Sequence, residues 1–130
     1  MITELTVTPG FMGMFALIQV PLTVMVGFRR VQTGIQFFDG GDLTLLRRMR
    51  AHANFTETVP MTLMARAAAE LSGVPTWALW TGGISLVVGR VMHAAILITK
   101  GWGNPRAIGM VLTLLPMGMF GAWALQRALG

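Results

Sequence analysis

Long apolar stretches alternate with short polar breaks along the whole chain. Pro9 to Phe28 is a run of 20 residues without a formal charge, and Ala107 to Gln126 is another. Thr76 to Thr99 adds 24 residues interrupted only by Arg90 and His93. Between them, Ala51 to Leu71 is apolar in bulk but carries His52, Asn54, Glu57, Arg66 and Glu70. About 20 mostly apolar residues cross a hydrocarbon layer of roughly 30 Å. The pattern therefore predicts four membrane-spanning helices over 9–28, 51–71, 76–99 and 107–126. The breaks agree with these limits. Asp39-Gly40-Gly41-Asp42 reads as a turn, with Asp42 as N-cap of a second helix that opens at Leu43 and enters the membrane near Arg50. Ser72-Gly73-Val74-Pro75 and Gly101-Trp102-Gly103-Asn104-Pro105 place glycine after one helix and proline at the start of the next. Pro21 and Pro116 fall inside spans, where neighbouring helices can compensate the lost backbone bond.

Composition sharpens this picture. Of 130 residues, 54% are hydrophobic and 12% charged, against roughly 25% charged in an ordinary soluble domain. Disorder, a disulfide scaffold and a soluble zinc module are excluded on these grounds. The expected class is all-α: one integral membrane four-helix bundle over residues 1–130, with no room for a soluble domain. The net charge of +5 does not point to nucleic acid, because the basic residues do not form a patch interleaved with stacking aromatics. Arg29, Arg30, Arg47, Arg48 and Arg50 instead bracket one loop, and Lys100 and Arg106 another. Loops of this kind stay on the cytoplasmic side, which places both termini outside the cytoplasm; Arg127 counts the other way. Met1 to Thr8 holds Glu4 and no basic residue, unlike the start of a cleaved signal peptide.

A charge at mid-span costs about 2.5–3.5 kcal/mol on insertion scales, so each polar residue there needs a reason. At about 100° per residue, Arg50, Asn54 and Glu57 fall within about 60° of one another on the second helix. They offer a guanidinium fork, an amide and a carboxylate, a set suited to a zwitterionic, peptide-like ligand. The alternative is a snorkelling Arg50 with Asn54 and Glu57 bonded inside the bundle. Arg90 is the expected partner of Glu57, because an unpaired buried charge is costly. His93, one turn from Arg90, is either a ligand contact or a satisfied core donor. Arg66 and Glu70, at i and i+4 on the opposite face, read as a helix-surface pair. His52 reads as structural or interfacial. Two histidines without ligand spacing and no cysteine speak against a metal site. Arg106 opens the fourth helix, where a cation is locally unfavourable unless an anion joins it. Such a spot lowers a thiol's pKa toward thiolate; the other reading is an interfacial arginine on lipid phosphate.

Arg50-Ala51-His52-Ala53-Asn54-Phe55-Thr56-Glu57 followed by Val59-Pro60 resembles the second-helix signature of the MAPEG family, the membrane-associated proteins in eicosanoid and glutathione metabolism. Gly89-Arg90-Val91-Met92-His93 is similar to the family's third-helix motif, and Arg106 falls where the family carries its catalytic arginine. The likeness implies a homotrimer of four-helix protomers in a membrane, with glutathione as co-substrate bound between subunits on the cytoplasmic side. It implies Arg50, Asn54, Glu57 and His93 as glutathione contacts and Arg106 as the group that holds the thiolate. Arg30, or Arg29, would reach a glutathione carboxylate from an adjacent subunit. The chain departs from several relatives in having no tyrosine, with Leu97 and Met110 where one would be sought. Ala107 follows Arg106 where the prostaglandin E synthase type has serine, which argues against eicosanoid synthesis.

The expected function is thus a glutathione transferase, with peroxidase activity as a variant, in a bacterial inner membrane. It would act on lipophilic electrophiles arriving through the lipid, without a metal. Two rivals have different signatures. A small multidrug transporter also uses four helices but needs an acid in its pathway to couple protons, and the first span has none. A family member without catalysis would bind or scaffold, and the missing tyrosines favour it. Small residues on packed helix faces are expected at Gly82, Gly83, Gly89 and Gly118.

Overall fold

A computed structural model describes residues 4–130, so the first three residues of the segment read above as uncleaved lie outside the described residues. Its four helices are α1 (Thr8–Thr33), α2 (Leu43–Leu71), α3 (Thr76–Thr99) and α4 (Asn104–Leu129), and no strand occurs among the described residues. α2 is the hub and packs on all three others; α3 and α4 lie side by side, α1 barely meets α3, and α1 does not reach α4. The four helices alternate in direction. Both termini and the 72–75 turn therefore lie at one end of the bundle, here called the terminal end. The 34–42 and 100–103 segments lie at the other, the loop end.

Local chemistry explains the helix limits. The Asp42 carboxylate accepts from Leu45 N–H at 2.6 Å, closing the first turn of α2. α2 ends at Leu71, and Gly73 just beyond it (φ 79°) turns the chain, with Gly73 N–H bonded to Glu70 O and Val74 N–H to Ala69 O. Arg47 of α2 donates to Thr99 O and Lys100 O, covering carbonyls left open at the end of α3. Pro21, Pro60 and Pro116 all lie inside helices.

α1, α3 and α4 are each long and apolar enough to cross a membrane; α2 does not meet that measure. The reason is its polar content, not its length: 29 residues at 1.5 Å each extend about 43 Å. Large apolar side chains such as Leu17, Val24, Ile84, Val111 and Leu125 lie exposed along the other three helices, as lipid contact requires. Inside, Phe11, Phe15, Phe55, Val59, Leu63 and Leu86 form the main core, and Ala69, Leu79 and Phe120 a smaller one near the terminal end.

Arg66 and Glu70 are not a helix-surface pair. Arg66 is fully buried and Glu70 nearly so, and their charges turn to different partners. Glu70 accepts from the backbone N–H groups of Thr6, Val7 and Thr8 (2.6, 2.7 and 2.8 Å) and from the Thr6 hydroxyl at 3.0 Å. It supplies the anionic cap that α1 lacks in its own sequence. Arg66 donates to Leu79 O of α3 at 2.8 Å and lies with its guanidinium carbon 3.9 Å from the centre of the Phe11 ring.

Three of the four glycines expected on packed faces are there. A Cβ at Gly82 would meet Phe120, one at Gly83 would meet Phe11 and Arg66, and one at Gly89 would lie 2.7 Å from Gly109 O. Gly118 has open space around it within the chain.

Candidate functional site

Gly89 of α3 and Gly109 of α4 meet backbone to backbone, each leaving no room for a Cβ beside the other's carbonyl. This crossing brings Arg90 and His93, the residues flanking it on α3, against α4 and α2. Both are buried. Arg90 is held from two sides. Its Nε donates to Thr113 Oγ1 of α4 at 2.7 Å and its Nη2 to Gly109 O at 3.3 Å. Its Nη1 donates to Asn54 Oδ1 and, at 3.3 Å, to Thr58 Oγ1, both on α2.

The expected Arg90–Glu57 ion pair is therefore not formed within the chain. Four neutral oxygens serve the guanidinium instead, while Glu57 lies exposed. Thr58 and Thr113 were not singled out in the sequence. A hydroxyl one position after Glu57 gave no signal of its own, because only packing against α3 turns it toward Arg90.

Beyond Arg90, toward the loop end, Arg50 and Asn54 of α2, His93 and Leu97 of α3 and Arg106 of α4 surround one polar cavity of about 100 Å³. Four of the sequence-derived site residues thus come together. Asn54 is fixed by the Arg90 bond to its carbonyl, which leaves its amide hydrogens as donors. Arg50 is exposed and makes no ion pair among the described residues. Arg106 is half-buried in the first turn of α4; Nη1 donates to Gly101 O at 3.2 Å, and the guanidinium carbon lies 5.1 Å from the centre of the Trp102 ring. Leu97 lies in the wall where a hydroxyl-bearing ring would add a donor, and Met110 contacts Arg90 Nη2 through sulfur at 3.3 Å.

Two expected site residues lie elsewhere. Glu57 does not line the cavity. Arg30 gathers the carbonyls of Ile35, Gln36 and Phe38 with one nitrogen (3.0–3.1 Å) and contacts Met49 sulfur with another. It shapes the 34–42 loop and does not line the cavity of its own chain. Nearby, Arg29 forms an ion pair with Asp42 at 2.7 Å. That hydrogen bond, with a second from Leu45 N–H, holds the Asp42 carboxyl below its ordinary range. His52 bonds Thr23 on α1 at 3.1 Å, away from the cavity.

Chemically, the cavity offers two guanidinium groups, one amide and one imidazole, with no carboxylate in its wall. Such a lining suits an anion at a helix start. Two curated relatives, both named Inner membrane protein YecN, come from Escherichia coli (strain K12) and Escherichia coli O6:H1 (strain CFT073). Each is 34% identical over 64 residues, and the match spans about half of this chain and about half of each relative (49% in both cases). The family model described as MAPEG matches residues 8–126, from the first turn of α1 to near the end of α4. The chain, a membrane protein with three strongly apolar helices, belongs to the MAPEG family.

Proposed function

We propose that this protein is a membrane-embedded glutathione transferase that presents glutathione as thiolate to lipophilic electrophiles. The observation that carries the reading is the convergence of Arg50, Asn54, His93 and Arg106 from three helices on one carboxylate-free cavity. Arg50 and Asn54 suit the carboxylate and amide groups of a peptide. Arg106, in the first turn of α4, adds its charge to the positive end of the helix dipole, and a sulfur there is stabilised as thiolate. In the reaction the thiol proton goes to solvent, the sulfur lone pair forms a C–S bond, and the electrophile's leaving group departs or its π-bond accepts the electrons. The missing tyrosines favour one other reading, a member that binds the thiol without turnover.

The same reading includes α2 as a fourth span. Its polar side chains are turned inward or to the loop end at most positions, and its antiparallel contact with α1 runs from Asp42 to Glu70. Residues 1–130 would form one such unit in a bacterial inner membrane, termini outside the cytoplasm. It also includes a homotrimer. A cavity of about 100 Å³ is well below the roughly 300–1,000 Å³ of small-molecule sites, so one chain supplies part of the site and a neighbouring copy completes it. Exposed Glu57 and Arg50 would then gain partners across the interface.

Calorimetry with glutathione and ultraviolet thiolate absorbance against pH test the proposal. Binding is expected, with a thiolate pKa below the free-thiol value of about 8.5. In Arg106→Ala that pKa should rise toward the free value, each unit leaving roughly tenfold less thiolate at neutral pH. Glutathione affinity should be largely kept. An unchanged thiolate pKa in Arg106→Ala would remove Arg106 from catalysis, and binding without turnover would favour the second reading.

A further inference from the structure

Arg90 is a buried cation without a carboxylate partner among the described residues, and the proposed reaction gives it no task of its own. Two of its acceptors are hydroxyls with no hydrogen left to give. Thr113 Oγ1 already donates to Gly109 O at 2.9 Å, and Thr58 Oγ1 to Asn54 O at 2.8 Å. Each hydroxyl has a single hydrogen, so the side turned to Arg90 can only be a lone pair. Both threonines are buried, Thr113 completely. A guanidinium that lost them would keep unpaired N–H groups inside the bundle, which is costly where no water reaches.

The two threonines hold opposite ends of one rigid plane. Nε is fixed at 2.7 Å by Thr113 of α4, and Nη1 reaches α2 between Thr58 and Asn54. Arginine carries five N–H donors and no acceptor. The Asn54 atom that meets it is therefore the oxygen, and the carboxamide cannot turn over without setting N–H against N–H. Only the Asn54 NH2 group is left for the cavity that Asn54 lines with Arg50, His93, Leu97 and Arg106. Arg50 and Arg106 are donors as well, so His93 alone of these polar side chains can accept. We infer that Thr58 and Thr113 are positioning residues: acting through Arg90, they lock Asn54 as a donor and so reserve its place in the cavity for a carboxylate or carbonyl oxygen of the ligand. An ammonium or amide N–H is turned away from that place. The inference rests on the glutathione reading, in which the oxygen belongs to the peptide's carboxylates or amide carbonyls and its amino group lies elsewhere.

The test separates the Thr113 hydroxyl from the Thr113 shape. Asn54 and Asn104 are the two asparagines of the chain, so protein carrying isotope-labelled asparagine shows two side-chain carboxamide groups by NMR. In ligand-free Thr113→Val, which keeps the volume but not the oxygen, the Asn54 signal should shift, and Thr113→Ser should restore it; Thr58→Val takes the place of Thr113→Val where the latter does not fold. By calorimetry, Thr113→Val should bind glutathione about tenfold more weakly and Thr113→Ser within about twofold of the parent. The thiolate pKa of bound glutathione, set at Arg106, should stay unchanged in both, which a general loosening of the bundle would not allow. Asn54→Asp supplies a sign that does not depend on either threonine variant. It gives Arg90 a carboxylate and should fold, yet without an N–H it should lose at least about tenfold in glutathione affinity. Binding as tight as the parent's or tighter in Asn54→Asp would mean that Asn54 accepts from the ligand, and would overturn the proposal. Equal losses in Thr113→Val and Thr113→Ser would overturn it too. A parent protein that does not bind glutathione fails the proposed function instead, and the ligand-free spectra then decide this inference alone: one and the same Asn54 signal in the valine variant and the parent overturns it.

Discussion

Glu57 and Glu70 lie on the same helix, thirteen positions apart, and have opposite fates. Glu70, at the terminal end, is buried and accepts four hydrogen bonds from the start of α1. Glu57, toward the loop end, is exposed and has no salt-bridge partner among the described residues. The arginines repeat the contrast: Arg66 is sealed behind Phe11, whereas Arg50 is open and Arg106 half-open beside a polar cavity. At the terminal end, charge closes the fold of a single chain. Beside the polar cavity, Arg50 and Arg106 are instead left without a carboxylate partner among the described residues. Departures from local satisfaction of this kind concentrate at functional sites.

The largest effect should come from breaking the terminal end. Glu70→Ala leaves three backbone N–H groups at the start of α1 without their acceptor, at roughly 1–3 kcal/mol each when buried. A loss of about 3–5 kcal/mol is expected in unfolding by titration with a denaturing detergent. Glu57→Gln should stay within about 0.5 kcal/mol of the parent in the dissociated protein, as exposed substitutions do. Equal losses in the two variants would abolish the contrast. A loss in Glu57→Gln that grows with protein concentration would sharpen it, by placing that carboxylate between subunits.

A smaller effect separates two glycines. Gly89→Ala pushes a methyl group to 2.7 Å from Gly109 O and should cost about 1–3 kcal/mol. Because this crossing positions His93, glutathione turnover should fall with it. Gly118→Ala points into open space and should be neutral or gain up to about 1 kcal/mol from helix propensity. If both changes proved equally harmless, α3 and α4 would not be in backbone contact.

The smallest effect is one of pH. The Asp42 pKa is lowered below its usual 3.8 by Arg29 and Leu45 N–H. Its contribution is therefore complete above the unfolded value and is lost as pH falls through the folded value. Thermal melts below about pH 4 should show this acid-side loss, and Asp42→Asn should remove it while lowering stability at neutral pH.

Which parts of this were legible in advance follows from distance along the chain. The limits of α3, the Asp42 cap and the Gly73 stop depend on neighbours within four residues, and the residue pattern announces them. That Arg50 and Asn54 share a face was legible from helical spacing, whereas their meeting with His93 and Arg106 at one cavity followed from the family signature alone. The partners of Arg90 were not, since Thr58 and Thr113 arrive from two other helices. Nor were the roles of Glu70 and Arg66, whose i, i+4 spacing suggests a surface pair until the start of α1, far earlier in the chain, is laid across them. The three loop carbonyls that hold Arg30 were not legible either, since they depend on how the 34–42 loop folds back on the end of α1.

The cap that Glu70 places on α1 also orders how the chain enters its membrane. α1 emerges first with the N–H groups of its first turn open, and their acceptor is made some sixty residues later. α2, for its part, falls short of the apolarity of the other three helices. In the four-span arrangement each helix thus lacks what the other supplies: α1 brings the hydrophobicity that carries the pair across, and α2 brings the anion that closes α1. In the proposed four-span arrangement the two would insert as a hairpin, with the 34–42 loop as its bend. An α1 expressed alone would sit in the bilayer with a frayed start, and an α2 expressed alone would not stay in it.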